Sequence, residues 1–247
     1  MKKLRVLDLF SGIGGFSLGL ERTGGFETVA FCEIDPFCRK VLAKHWPNVR
    51  QYEDVRELTA DRLAADGIAV DVICGGFPCQ DISYAGEGRG LAGERSGLWR
   101  EYARLVGEVR PQYVIVENVA ALLDRGLGDV LGDLAALRYD SEWHCIPAWY
   151  VGLPQSRDRL WIVAHSNGQG MEGSALTRSP DAEWQGRAEQ LGAMAARLVG
   201  LSAPAGSSGG IAHGVSRRVD RLRSLGNAVV PQIPELIGRA ILAAEAA

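Results

Sequence analysis

The chain has 247 residues, 47% of them hydrophobic, and a formal net charge of −3 at pH 7. This length fits one good-sized domain, alone or with a small appendage, and the hydrophobic fraction is sufficient for a packed core. The charge excludes a protein that coats nucleic acid through bulk electrostatics, and the five cysteines are scattered without a C-x-x-C pair, which argues against a disulfide framework or a zinc site.

Short apolar, β-branched runs alternate with helix-like stretches through the first 164 residues. The runs predict strands over 4–10, 27–32, 70–74 and 113–116, and the stretches between them predict helices over 16–22, 35–45, 98–109 and 127–137. Two later runs, over 143–146 and 160–164, predict a final hairpin of strands. This alternation is typical of an α/β fold with a doubly wound, mostly parallel, Rossmann-like sheet.

The composition changes after residue 164. Residues 165–216 are rich in Gly, Ser and Ala and predict a short recognition or linker segment. From Val229 the pattern becomes helical again, with Pro231 and Pro234 near its start, where proline is tolerated. We therefore divide the chain into an α/β domain over 1–164, the segment over 165–216 and a C-terminal segment over 217–247.

A glycine-rich turn follows the first predicted strand. Gly12, Gly14 and Gly15 would let the backbone approach a ligand at the start of a helix. Glu33 follows the next strand about twenty residues on, where a carboxylate can accept hydrogen bonds from a ribose. A lone G-x-G-G is compatible with any tight turn, and the pair suits a dinucleotide as well as S-adenosylmethionine.

Cys79 lies in the run Gly75-Gly76-Phe77-Pro78-Cys79-Gln80, directly after an apolar strand. A lone cysteine in a soluble protein is more often structural than reactive. Other motifs reverse this expectation. They are Val6-Leu7-Asp8-Leu9-Phe10-Ser11-Gly12-Ile13-Gly14-Gly15-Phe16, Glu117-Asn118-Val119, Gln155-Ser156-Arg157-Asp158-Arg159 and Gly226-Asn227-Ala228-Val229-Val230-Pro231-Gln232.

In their order and in their residues these motifs resemble the conserved blocks of the DNA (cytosine-5)-methyltransferases. The resemblance covers roughly residues 4–164 and 217–245. The segment between the Arg159 and Gly226 blocks is shorter than is common in this family, as in compact bacteriophage or prophage members. The resemblance implies that the last helix folds back onto the first domain.

The resemblance implies S-adenosylmethionine as cofactor. Phe10 would pack on it, the backbone around Gly12 and Gly14 would hold its methionine end, and Glu33 would bind its ribose. Ile34 stands where the family often has an aromatic residue, so the adenine would pack on an aliphatic face. Three further cofactor residues are implied by match: Asp54, facing the adenine amino group, Leu98, and Asn227, closing the pocket.

The resemblance also implies covalent catalysis. C5 of cytosine is a poor nucleophile, and addition of the Cys79 thiolate at C6 makes the ring enamine-like. Arg159 would supply a cationic field near the thiol, and Arg157 would bind a phosphate or orient the loop. Glu117 would donate a proton at N3, because burial at a strand end raises a carboxyl pKa. Alternatively, Glu117 caps a helix beginning near Asn118.

The target base must leave the DNA stack to reach such a pocket. Gln80 and Ser83 would lie on a mobile loop that closes over the DNA. Arg217, Arg218 and Arg221 are placed as phosphate contacts would be, although a charge run is usually a solvated face.

The predicted substrate is double-stranded DNA, and the predicted protein is a cytoplasmic monomer of a bacterial or phage-infected cell, without a metal or membrane span. Three alternatives remain. They are the same chemistry on transfer RNA, disfavoured by Gln80, a catalytically silent nucleic-acid-binding relic, and an NAD-dependent enzyme. Restriction-modification and evasion of host restriction are both compatible with the sequence.

Overall fold

The computed structural model describes residues 2–78, 97–152, 157–166 and 228–246. A central sheet runs through these ranges, with helices on both of its faces. Its strands are β1 (Leu4–Leu9), β2 (Phe26–Cys32), β3 (Arg50–Tyr52), β4 (Val72–Gly75), β5 (Tyr113–Val119), β6 (Tyr139–Pro147) and β7 (Asp158–Ser166). The helices in the same ranges are α1 (Gly15–Glu21), α2 (Pro36–His45), α3 (Ala60–Ala65), α4 (Leu98–Val109), α5 (Leu122–Arg125), α6 (Leu127–Ala136) and α7 (Gln232–Glu245).

The strand order across the sheet is β3-β2-β1-β4-β5-β7-β6. The five strands from β3 to β5 pair in parallel, whereas β7 pairs antiparallel with both β5 and β6. The chain moves outward from β1 to β3 and then returns to β4 on the other side of β1. In open α/β sheets, ligands bind at the carboxyl ends of strands where the order reverses in this way.

Alternating side chains of the strands build one hydrophobic core on each face of the sheet. On one face, Leu7 and Ile73 pack with Trp99 and Leu105 of α4 and with the apolar side of α6. On the other face, strand residues including Val6 and Val72 pack with α1 and α7. This double covering confirms the predicted doubly wound, mostly parallel fold.

Helix α7 lies directly against α1, and glycines make the close approach possible. A Cβ atom at Gly19 of α1 would lie 2.2 Å from the carbonyl oxygen of Pro231. One at Gly238 of α7 would lie 3.0 Å from the Thr23 side chain and 3.1 Å from that of Leu20. The described part of the C-terminal segment therefore packs on the first helix. The boundaries of the three predicted segments stay a prediction.

The structure extends or corrects several sequence predictions. The final hairpin is present but longer than predicted, since β6 and β7 each span nine residues. Strand β5 continues to Val119, so Glu117 lies inside a strand and the next helix begins only at Leu122. The alternative that Glu117 caps a helix is therefore wrong. The short elements β3, α3 and α5 were not predicted.

Among the described residues, no helix combines the length and the apolar character that a bilayer crossing requires.

Replacement of a glycine by alanine should have opposite effects on stability at Gly19, which lies against Pro231, and at Gly132, which has open space beside it. Gly19→Ala should lower the free energy of unfolding by about 2 kcal/mol, because its methyl group meets backbone that cannot easily move. Gly132→Ala in α6, where a Cβ atom meets nothing within 4 Å, should raise stability by about 0.5–1 kcal/mol. Urea unfolding measures both; equal effects would contradict the packing described.

Candidate active site

The carboxyl ends of β1, β4 and β5 meet at one edge of the sheet, at the reversal of strand order. A Cβ atom at Gly75, the last residue of β4, would lie 2.3 Å from the carbonyl oxygen of Leu9. A Cβ atom at Gly76 would lie 2.7 Å from Oε2 of Glu117. The glycines therefore let the end of β4 pass between its two neighbours, and they bring the β1 turn and Glu117 to the same edge.

The turn after β1 has an unusual backbone. Phe10, Gly12 and Gly14 all have positive φ angles, of 52°, 54° and 86°. Such an angle is uncommon for a residue with a side chain, as at Phe10, and residues of this kind cluster at ligand sites. The Phe10 ring stacks on Tyr102 with the ring centroids 6.5 Å apart. The turn is held by the Ser11 hydroxyl, which donates to the carbonyl oxygen of Asp8 at 2.5 Å.

The three glycines of this turn have different surroundings. A Cβ atom at Gly14 would lie 2.7 Å from the Trp46 ring, and one at Gly15 would lie 2.4 Å from the carbonyl oxygen of Val229. At Gly12 it would meet nothing within 4 Å, so only the positive φ angle requires glycine there. Gly12 is therefore the position of the three where a ligand can approach the backbone. Gly14 and Gly15 accommodate other parts of the protein.

Glu33 joins this turn to the next one. Its Oε2 atom accepts a hydrogen bond from the Gly12 N–H at 2.7 Å, and its Oε1 atom accepts one from the Asp35 N–H at 2.8 Å. Each carboxylate oxygen has a second lone pair with which it can accept from a hydroxyl group. The carboxylate is thus fixed beside the open glycine, which suits the ribose-binding role predicted for it.

The other predicted cofactor residues lie at strand or helix ends. Ile34 follows Glu33 and is 65% exposed, which leaves its side chain available to cover a flat ring. Asp54 follows β3, and hydrogen bonds from Arg56 lower the pKa of its carboxyl group, so it is ionised at neutral pH. Leu98 is the first residue of α4 and packs against the core. The cofactor roles of these three residues and of Phe10 stay predictions.

The predicted catalytic part of the candidate site contains a partly buried ion pair. Nε of Arg159, near the start of β7, lies 2.9 Å from Oε1 of Glu117 on β5. The side chains are 24% and 12% exposed. Burial raises the pKa of Glu117, while Arg159 and, next, Arg157 oppose that rise. Burial, followed by repulsion from Arg159, lowers the pKa of Arg157.

Asn118 fixes the segment that leads towards Cys79. Its side-chain Nδ2 donates to the carbonyl oxygen of Phe77 at 3.2 Å, and its Oδ1 accepts from the Val119 N–H at 2.8 Å. The Phe77 ring packs on Trp99 with the centroids 5.4 Å apart. Asn118 belongs to the Glu117-Asn118-Val119 motif, but the sequence did not predict that Asn118 would hold the segment at Phe77 in place.

Arg104 is a second residue that sequence reasoning missed. Its Nη2 atom donates to the carbonyl oxygens of Val55 and Leu58, at 3.0 and 2.9 Å. Its other nitrogens bind Glu101 and Glu108 on the same helix. Arg104 therefore fastens the loop after Asp54 to α4. A single arginine on a helix gives no sequence signal of such a contact.

Asp8 is a buried acid that the motif contains without a predicted role. Its Oδ2 atom accepts from the Ser17 hydroxyl at 2.8 Å, whereas its Oδ1 atom has no hydrogen-bond partner among the described residues. Burial raises the pKa of Asp8 to about 8. A carboxyl group of this kind is largely neutral at pH 7. An acid within an apolar strand is the sequence signal that could have identified it.

Seven predicted site residues lie outside the described residues. They are Cys79, Gln80, Ser83, Arg217, Arg218, Arg221 and Asn227. Their roles stay predictions.

Comparison with known proteins adds a family match. The model of the C-5 cytosine-specific DNA methylase family matches residues 4–199. Type II methyltransferase M2.BsuMI of Bacillus subtilis (strain 168) is 36% identical over 169 residues, which are 65% of this chain and 42% of that protein. Orphan methyltransferase M.SPRI of Bacillus phage SPR is 34% identical over 172 residues, which are 66% of this chain and 38% of that protein.

A solved structure is similar as well. The crystal structure of a putative DNA modification methyltransferase encoded within an E. coli prophage superposes with a TM-score of 0.57 at 29% identity. The match covers 66% of this chain and 47% of that one. The chain thus spans less than half the length of these relatives.

The ion pair predicts a pH-dependent defect. Arg159→Met leaves the Glu117 carboxylate buried without its cation, which should raise its pKa further and cost about 3 kcal/mol at pH 8. The unfolded chain releases this proton at lower pH than the folded one. Stability of the variant should therefore fall as pH rises from about 5 to 8, more steeply than in the wild type.

The control is the double variant Arg159→Met/Glu117→Gln, which removes the titrating group and should remove the extra pH dependence. Urea midpoints measured at intervals of pH test both variants. Identical pH profiles for the wild type and Arg159→Met would show that Glu117 is not coupled to Arg159, and identical profiles for the single and double variants would show that Glu117 is not the group that titrates.

Proposed function

Since this chain belongs to the C-5 cytosine-specific DNA methylase family, we propose that it transfers a methyl group from S-adenosylmethionine to C5 of cytosine in double-stranded DNA. The proposed nucleophile is Cys79, which forms a covalent bond to C6 of a target base that has left the duplex.

The observation that carries this proposal is the pair of the buried Glu117 and the partly buried Arg159 beside Gly76. The two side chains lie 2.9 Å apart, and the Gly76 backbone passes against the Glu117 carboxyl group. Cys79 follows Gly76 by three positions in the sequence. A short segment held by Asn118 at Phe77 therefore connects the acid to the proposed nucleophile.

The proposed reaction has three steps. The Cys79 thiolate adds to C6, and the electrons of the C5–C6 double bond move into the ring while N3 takes a proton from Glu117. C5, made nucleophilic by this addition, would then take the electrophilic methyl group that bound S-adenosylmethionine supplies, with S-adenosylhomocysteine as the leaving group. A base finally takes the C5 proton, the C6–S bond breaks to return the thiolate, and N3 gives its proton back to Glu117.

The environment of Glu117 supports its role as the acid. A proton donor at N3 must hold a proton at neutral pH, and burial raises the pKa of this carboxyl group. Arg159 opposes protonation at rest, so it holds the carboxyl group in place and limits the rise. When Glu117 gives up its proton, the same guanidinium stabilises the resulting carboxylate.

The cofactor proposal rests on the turn after β1. Gly12, Glu33, Ile34 and Asp54 provide an open backbone, a fixed carboxylate, an exposed apolar side chain and an ionised acceptor. In that position S-adenosylmethionine would supply an electrophilic methyl group. Phe10, Gly14, Leu98 and Asn227 complete the proposed cofactor residues.

The proposed DNA contacts come from residues outside the described ranges. Gln80 and Ser83 would close over the displaced cytosine, and Arg217, Arg218 and Arg221 would bind phosphates. Arg157 would orient the segment beside Arg159.

Bisulfite sequencing of plasmid DNA from cells that express the wild type or Cys79→Ala tests the activity. We expect 5-methylcytosine in a fixed short context with the wild type alone, because the reaction requires addition at C6. Methylation by the variant would contradict the proposed nucleophile. Methyl transfer to transfer RNA in a competition assay with duplex DNA would overturn the proposed substrate.

Duplex DNA with 5-fluorocytosine at the target position tests the covalent step. Fluorine cannot leave C5 as a proton does, so the final elimination should fail and the protein should stay bonded to the DNA. Denaturing electrophoresis should show a complex with the wild type and none with Cys79→Ser. If neither protein gives a complex with DNA that the wild type methylates, the covalent step is wrong.

Arg104 should affect cofactor binding without touching the cofactor. Arg104→Gln removes two hydrogen bonds to the loop after Asp54, and we expect a roughly tenfold weaker affinity for S-adenosylhomocysteine. Arg62→Gln is the control, since the Arg62 side chain is exposed and pairs with Asp66, away from the loop after Asp54. Isothermal titration calorimetry measures both affinities. An unchanged affinity for Arg104→Gln would separate this loop from the cofactor.

A further inference from the structure

Two exposed aromatic side chains lie next to each other on the turn between β6 and β7. Trp149 is 60% exposed and Tyr150 is 42% exposed, with ring centroids 5.5 Å apart. They belong to a short 3-10 helix, Ala148–Val151, whose first and last residues face inward. Ala148 is buried, and Val151 packs against the core formed with α1 and α7. We call this pair of rings the aromatic ledge.

The ledge is held by backbone contacts. The Gly152 N–H donates to the carbonyl oxygen of Trp149 at 3.0 Å, and Gly152 has the positive φ angle of 83° that ends the turn. The Ala148 N–H donates to the carbonyl oxygen of Arg157 at 2.9 Å. An anchored turn of this kind fixes the backbone in advance, which lowers the entropy lost when the rings bind a partner.

The same contacts place the ledge beside the candidate active site. Arg157 is joined directly to Ala148, and Arg159 lies opposite Ile146 in the register of β6 and β7. Alternate residues of a strand point to opposite faces, so the intervening Asp158 faces away from the side that carries Arg159. The turn that carries the two rings and the backbone that carries Arg157 and Arg159 therefore lie at one edge of the sheet.

We propose that the aromatic ledge binds the DNA strand that carries the target cytosine, with the Trp149 ring packed on a base or sugar next to that cytosine. This inference rests on the proposed function. Removal of one base from a duplex leaves its neighbours unstacked. Aromatic rings that stack on such bases, next to basic side chains, are a common means of binding single strands.

The size and charge of the ledge favour DNA over a protein partner. Two aromatic side chains expose at most a few hundred Å², whereas a stable protein interface buries about 800 Å² on each side. Trp143, which is 44% exposed on β6, provides a contrast. It lies opposite Ile162, away from the arginines, and its sequence neighbour is Glu142. The ledge is therefore distinguished by its position near the arginines and not by the exposure of a tryptophan alone.

The test compares Trp149→Ala with Trp143→Ala, two exposed tryptophans on neighbouring parts of one chain segment. The measurement is fluorescence anisotropy with a labelled duplex that contains the methylation site, in the presence of S-adenosylhomocysteine. Loss of stacking on one base should weaken DNA binding by Trp149→Ala about tenfold or more. Trp143→Ala should bind as the wild type does, and Trp149→Phe should keep most of the affinity.

A second readout separates stacking from loss of structure. Affinity for S-adenosylhomocysteine should be the same in all variants. The slope of log affinity against log salt concentration should also be unchanged in Trp149→Ala, because no phosphate contact is lost. DNA affinity equal to that of the wild type in Trp149→Ala would overturn the proposal. Equal losses in Trp149→Ala and Trp143→Ala would do the same.

Two further outcomes are decisive. If Trp149→Ala changes the mass measured by sedimentation but leaves DNA affinity intact, the rings mediate contact between copies of the chain and the proposal is wrong. Methyl transfer by the wild type tests the proposed function. The ratio of the DNA affinity of Trp149→Ala to that of the wild type tests the aromatic ledge. A wild type that methylates DNA while Trp149→Ala binds normally overturns the ledge alone, and a wild type that does not bind DNA overturns both.

Discussion

The close approach of three strand ends is the constraint on which the candidate site depends. At Gly75 and Gly76 a side chain would lie within 2.3 Å of the Leu9 carbonyl oxygen or 2.7 Å of the Glu117 carboxyl group. Because these positions lack side chains, the end of β4 passes between β1 and β5. The turn that fits a cofactor and the acid that fits catalysis therefore lie at one edge. With larger residues there, the same sheet could form only with these parts further apart.

The direction of β7 completes this edge. The other strands bring their carboxyl ends to it, but β7 runs antiparallel to β5 and brings its amino end. Arg159 is thus level with the end of β5 and reaches Glu117, although the two are far apart in sequence. A buried carboxylate without a cation is costly, and a buried pair that loses one partner is strongly destabilised. The antiparallel direction of β7 therefore permits the buried acid Glu117, because it brings Arg159 to the same level. The connection between β6 and β7 also carries the aromatic ledge.

Much of the fold could be predicted from the sequence, and the failures have physical causes. The alternation of apolar strands and helices gave the sheet and its two layers, since burial on both faces leaves a strong pattern. The end of β5 was misjudged because Glu117 and Asn118 are polar residues in a buried strand, each satisfied by a distant partner. Arg104 shows the same limit, since its hydrogen bonds reach loop carbonyls that no local pattern identifies.

The glycines of the turn after β1 belong to one sequence motif but have different structural roles. Gly14 and Gly15 belong to the motif, yet their lack of a side chain is explained by contacts with Trp46 and with the Val229 carbonyl oxygen. Only Gly12 keeps an open side, next to the Glu33 carboxylate. The turn thus adopts its shape because α2 packs on one of its glycines and the segment before α7 packs on another. The proposed cofactor turn near the start of the sequence therefore depends on Val229, more than 200 residues further along, and changes in that segment should affect the turn before they affect the sheet.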